Sequence, residues 1–235
     1  MEENKPQHEA HHTVHHTAGT TPVQHTAAHT GAGTGAGDAL AIPKFDFTKL
    51  DFAGAFAKLI EICKLNKKVI EEVANDEKFN SISLVFLAIG AAAGPLFFLI
   101  FGISFGNYVL RPDTVRGVIN IILSPAISAA GLFALTYVAV NLFKGQGTFG
   151  KALRVLGLTS GVSAILALGY VVPGLMSLLS LVVGIWMLVV GYVCLKEVFK
   201  MDNTNTVLSL IVTVVVLGVL TAILAQLGIG AGIRM

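Results

Sequence analysis

No histidine follows His29 in this 235-residue chain, and beyond Ser81 only three acidic residues remain, Asp113, Glu197 and Asp202. The C-terminal two-thirds therefore lack the usual general base of hydrolytic and acyl-transfer chemistry. No HExxH, no P-loop and no GxSxG is read in the sequence, which predicts no catalytic residue and no cofactor site. Charged residues make up only 13%, about half the share of a soluble globular domain. A net charge of +2, with no basic stripe interleaved with aromatics, gives no argument for a nucleic-acid partner. The two cysteines, Cys63 and Cys194, are too far apart for a metal or redox motif and read as reduced thiols. No ionisable side chain lies near the middle of a long apolar run. That absence counts against a proton-coupled transporter, a voltage sensor and an intramembrane metalloenzyme.

What the chain has in abundance is apolar length: 54% hydrophobic residues and a mean hydropathy of +0.76. A bilayer core needs about 20 apolar residues in a helix, because lipid cannot satisfy open backbone groups. From Ser81 onward the runs divide into five spans, at about 81–103, 115–143, 152–171, 174–198 and 206–229. Pro125 lies inside the second, and Tyr170-Val171-Val172-Pro173-Gly174 breaks the long run that holds the third and fourth. The expected fold class is all-α, a polytopic bundle of about five transmembrane helices.

Two segments precede the spans. Residues 1–44 are rich in His, Thr, Ala and Gly, with too little apolar bulk to offset the entropy of ordering, and are expected to be disordered. His11, His12, His15 and His16 are candidate metal ligands of this tail, since neutral imidazoles suit Zn, Ni or Cu. A low-complexity spacer is the competing reading. Residues 45–80 carry two amphipathic stretches. Phe52, Phe56, Leu59, Ile60 and Cys63 recur at helical spacing. Asn66 offers an N-cap for a second helix with Val69, Ile70 and Val73 on one side and Lys67, Lys68, Glu71 and Glu72 on the other. Both are too short and too charged to cross a bilayer. They suit either an interfacial position or packing on the protein's own loops. Residues 81–235 form the membrane domain.

Placing the N-terminus in the cytosol puts thirteen Lys and Arg on that side and only Arg111, Arg116 and Arg234 on the other. The positive-inside rule thus predicts N-terminus in and C-terminus out. Gly90-Ala91-Ala92-Ala93-Gly94 and Gly157-Leu158-Thr159-Ser160-Gly161 are GxxxG patterns, which let helix backbones approach closely. They leave two uses open: a dimer face in a homo-oligomer, or contact inside one bundle.

The loop Gly145-Gln146-Gly147-Thr148-Phe149-Gly150-Lys151, followed by Arg154-Val155-Leu156-Gly157, resembles the Yip-domain family of Ypt/Rab-interacting membrane proteins. So do the amphipathic lead-in over Lys58–Asn75, the Gly184-Ile185-Trp186 pattern of the fourth span and the Leu195–Val198 stretch after it. The likeness runs over about Lys58 to Ile229 and is closer to prokaryotic members. Leu158 stands where the family often has Tyr, and Gly94-Pro95 lies inside the first span without the acidic-Leu-Tyr-Gly-Pro-like motif of eukaryotic members. Residues tied to Rab engagement are therefore not carried over.

The resemblance implies a non-enzymatic scaffold or adaptor that organises the membrane, or recruits membrane or cytosolic protein partners, through its cytosolic face. It implies the cell membrane in a prokaryote and the ER and Golgi in a eukaryote. Two other classes stand beside it: a small channel or carrier for an uncharged solute, and metal binding by the histidine tail.

Overall fold

The computed structural model describes residues 36–105, 108–110, 113–172 and 175–226. His11, His12, His15 and His16 lie outside these residues. Helix α1 is a single turn, Ala36–Ala39, and an irregular strap leads from it to α2, Phe52–Cys63, and α3, Lys67–Asn75. Five long helices follow: α4 (Phe79–Phe101), α5 (Thr114–Leu142), α6 (Phe149–Val171), α7 (Leu175–Val198) and α8 (Asn203–Gln226). All five are long and apolar enough to cross a membrane, so the chain is the all-α, polytopic protein that its apolar runs predict. One detail departs from that expectation. Between α4 and α5, β1 (Ile103–Phe105) and β2 (Tyr108–Leu110) pair antiparallel, with Ile103 opposite Leu110.

Local signals explain where the helices begin and end. Asp51 caps α2 by accepting the Gly54 amide at 2.8 Å, which meets one of the open donors of a first turn. Leu65, Lys144 and Lys200 adopt positive φ angles of 58°, 57° and 54°. Each follows the end of a helix, where a left-handed residue lets the chain turn away while the last carbonyls keep donors. Asn66 precedes α3, but its side chain makes no capping bond; its amide donates instead to Glu61 Oε2 at 3.1 Å.

The packing is uneven along the bundle. At the end that carries α2 and α3, here the proximal end, α6 is buried continuously from Ala152 to Thr159. Val190, Cys194, Leu195 and Phe199 join it in one core with Ile62, Ile70 and Val73. Toward the distal end apolar side chains face outward, among them Ile100, Leu178, Leu181 and Val182. That pattern suits lipid as solvent, because an exposed Leu costs nothing among acyl chains.

The amphipathic pattern of α2 resolves into two faces rather than one. Ala55, Leu59 and Ile62 are buried against the bundle, while Phe52, Phe56 and Ile60 stay exposed. In α3, Ile70, Val73 and Ala74 are buried and Lys67, Lys68 and Glu72 lie outside. The strap before α2 is packed as well. Ala39 is fully buried, Phe45 joins the cluster of Leu87, Phe149 and Leu153, and Pro43 lies against Gly150.

Candidate functional site

The proximal end is built around the loop between α5 and α6. The Gly145 amide donates to Ala139 O at 2.9 Å and the Gln146 amide to Phe199 O at 2.8 Å, which ties the loop to the end of α7. A Cβ on Gly147 would sit 2.4 Å from the ring of Phe199, itself fully buried, so only glycine fits. Thr148 Oγ1 then accepts the Lys151 amide at 3.3 Å and starts α6. Phe149 turns inward, edge-on to Phe133 with ring centroids 5.8 Å apart. The run Gly145–Lys151 also has the glycine and lysine spacing of a P-loop. Ala152 stands at the position of the Mg²⁺-binding hydroxyl, and the Gln146 amide is already committed to Phe199, so no phosphate cradle forms.

One turn into α6 lies Arg154. The sequence counts it among the thirteen cations of the cytosolic side, yet it is only 7% exposed. Its Nε donates to Asn80 Oδ1 at 2.6 Å and its Nη1 to Ala74 O at 2.7 Å, while Glu77 sits 3.9 Å from Nη2. The Ala74 carbonyl belongs to the last turn of α3, where open acceptors and the helix dipole favour a cation. The network extends further. Asn80 Nδ2 donates to Lys44 O at 3.0 Å, the Asp46 amide donates to Ser81 Oγ at 2.7 Å, and Ser83 Oγ donates to Arg154 O at 2.8 Å. One guanidinium thereby joins α3, α4 and α6, and its neighbours hold the strap. Removing it would strand two buried acceptors, at about 1–3 kcal/mol each. Sequence reasoning overlooked Asn80, Ser81 and Ser83; the available signal was a polar cluster at the head of an apolar span.

A second set of contacts pins α3 to the end of α7. Lys67 pairs with Glu197 at 2.6 Å, and Glu71 accepts from Lys200. Lys58 reaches from α2 to Glu72 at 2.6 Å. The bond to Glu197 raises Lys67 above its ordinary pKa of 10.5, and the bond from Lys200 lowers Glu71 below 4.5. Exposed ion pairs contribute little individually; the buried Ile70, Val73 and Ala74 carry most of the attachment. What faces outward is polar: Lys64, Lys68, Asn75, Glu77 and Lys78 are all exposed.

The glycines of the two GxxxG patterns meet neighbours within the chain. A Cβ on Gly90 would lie 1.9 Å from Ser160 O; on Gly161, 2.5 Å from the ring of Phe86; on Gly157, 3.0 Å from Ser83 O. Gly94 is looser, with Tyr170 Oη at 3.9 Å as its nearest neighbour. All four thus face the contact between α4 and α6, three of them closely. Beside it, all five long helices line a cavity of ≈ 490 Å³ that includes Leu87, Gly131, Leu156, Gly191 and Leu217. Ser160, Thr213 and Thr221 also border it, but their hydroxyls donate to carbonyls of their own helices, which leaves a mainly apolar wall.

Among the described residues no group of three or more His, Cys, Asp or Glu could hold a metal ion. No curated protein and no solved structure matches the chain. The family model described as Yip1 domain matches residues 67–225. That range starts at the first residue of α3 and takes in Arg154 with its partners Ala74, Glu77 and Asn80, the Gly145–Lys151 loop and the length of the bundle. The five-helix membrane bundle and this match together show that the chain is an integral membrane protein belonging to the Yip1-domain family.

Proposed function

We propose that this protein is a non-enzymatic membrane scaffold that recruits protein partners through its proximal face, with that face and the N-terminus in the cytosol. The observation that carries this reading is the fixed, polar surface of α3. Its inner side is buried on the bundle and pinned through Lys67–Glu197 and Glu71–Lys200. Its outer side, with Lys68 and Asn75, stays open beside Lys64 and Lys78. A surface held rigidly offers binding groups without a large ordering cost at association. Among the described residues twelve of the thirteen Lys and Arg lie on that side of the bundle, against Arg116 on the other, which supports its cytosolic placement.

Deleting residues 45–80 would also remove the buried Ile62, Ile70 and Val73, so surface substitutions give the cleaner test. Full-length protein and a Lys64→Glu/Lys68→Glu variant would be compared by crosslinking and affinity purification from native membranes. The scaffold reading expects a defined set of proteins to co-purify with the native chain and to be lost from the variant. An identical set with both would remove this face as the recruiting surface.

A further inference from the structure

We infer that the outer face of α2, formed by Phe52, Phe56 and Ile60, is embedded among the acyl chains of the proximal leaflet of the bilayer. At 100° per residue Ala55, Leu59 and Ile62 fill a sector of about 60°, and Phe52, Cys63, Phe56 and Ile60 fill the adjoining sector of about 80°. The first sector is buried on the bundle. In the second, Phe52 is 50% exposed, Phe56 57% and Ile60 43%, while Cys63 at the helix end is partly buried against the core. The apolar arc of α2 therefore spans about 160°, well over twice the width of the buried sector. Lys58, Glu61 and Lys64 occupy the opposite side, where Lys58 bonds to Glu72 of α3 and Lys64 to Glu61.

Depth decides what covers the open half. The ring of Phe52 lies 6.4 Å from that of Phe86, and α2 packs against Leu158–Ser160 of α6. Phe86 is 15 residues from Phe101, the distal end of α4 (101 − 86), or about 22 Å at 1.5 Å per residue. Leu158 is 13 residues from Val171, the distal end of α6 (171 − 158), and Gly161–Ala167 between them is 3-10 helix with a rise of about 2.0 Å, which makes the distance about 23 Å. The hydrocarbon core of a bilayer is about 30 Å thick. Measured from the distal ends, α2 thus sits about 7–8 Å inside the proximal edge of that core, and a tilt of about 20° shortens these lengths by only about 6%. The charged ends of α5 fit the same frame: Arg116 and Leu142, the helix end just before Lys144, are 26 residues apart (142 − 116), at most about 39 Å, close to the core plus both headgroup layers. At the level of α2 a soluble partner would have to enter lipid to reach Phe56. The exposed apolar face of α2 continues the lipid-facing belt of the bundle, and its charged side points to the headgroups, as an interfacial helix requires.

The test is spin labelling of the full-length protein in phosphatidylcholine–phosphatidylglycerol vesicles, in a Cys63→Ala/Cys194→Ala background. Labels at Phe56→Cys and Ile60→Cys are compared with Val215→Cys, on an outward face of α8, and Lys64→Cys, on the polar side of α2. Collisions with oxygen should exceed those with a water-soluble nickel chelate at both test sites. The ratio should approach that of Val215→Cys and stand several-fold above that of Lys64→Cys. A chelate-favoured ratio would place the face in water, and shielding from both reagents would mean that protein or a second copy covers it. Either result overturns the inference. If one label prevents folding, the other still decides. The readout depends on where α2 lies and not on any recruited protein, so it stands or falls apart from the scaffold reading.

Discussion

Single residues set how closely the helices approach. Gly90 has no space for a methyl group, because Ser160 O occupies the position where its Cβ would stand. Gly90→Ala must push α4 and α6 apart, and that overpacking is expected to cost about 2–3 kcal/mol in an SDS-unfolding titration. Gly184→Ala, at a site with nothing within 4 Å of the added carbon, should stay within about 0.5 kcal/mol of the native protein. Equal losses at both positions would refute the close-packing account. The GxxxG spacing was legible in the sequence, but its use was not. Spacing shows that two backbones can meet; the position of Ser160 shows which backbone does. Arg154 teaches the converse. As a cation near a helix start it reads as solvent-exposed, and it is buried because Asn80 and the Ala74 carbonyl arrive from segments over 70 positions away in the chain.

Among elements, α3 has an attachment that responds to pH. The depressed pKa of Glu71 means its contribution is fully present above the ordinary value of 4.5 and is lost as pH falls through the folded-state value. The raised pKa of Lys67 gives the opposite limb: present below 10.5, lost as pH rises past the folded-state value. A Glu71→Gln variant should melt slightly below the native protein at pH 7 and low salt, and together with it once the pH drops well under 4.5. Lys67→Met should converge with the native protein at alkaline pH instead. A pH-independent gap in either comparison would contradict the ion-pair assignment, and added salt should narrow both gaps at neutral pH. Elements themselves were largely readable in advance. The Asn66 position marks the start of α3 and the apolar runs mark the five long helices, because periodicity and length are local properties. The split of α2 into a buried and an open apolar face was not readable, since a helical stripe does not say what lies against each half.

At the scale of the whole molecule, orientation follows from charge. The proposed topology places Lys144 in the cytosol and Asp113 outside. Cysteines at these two positions, in a background without the native thiols, would be exposed to a membrane-impermeant maleimide in intact bacterial cells expressing the protein. The substitution at Asp113 should label directly and that at Lys144 only after permeabilisation; the reverse pattern would invert the topology. Both residues are exposed on the surface, so failure to label would reflect sidedness rather than burial.

By itself the sequence determined the class of molecule: apolar runs of about 20 residues with no central charge admit little besides membrane helices. It also determined that a short, charged, amphipathic pair precedes them, and the Gly145–Gly157 motif pointed to the family. Only the tertiary structure decided what those motif residues do. Gly147 makes room for Phe199, Thr148 starts α6, and Arg154 binds α3 and α4 to it. The reason is physical. Hydropathy and periodicity are sums over neighbours in the chain, whereas a hydrogen bond or a glycine contact depends on a partner that folding brings from elsewhere.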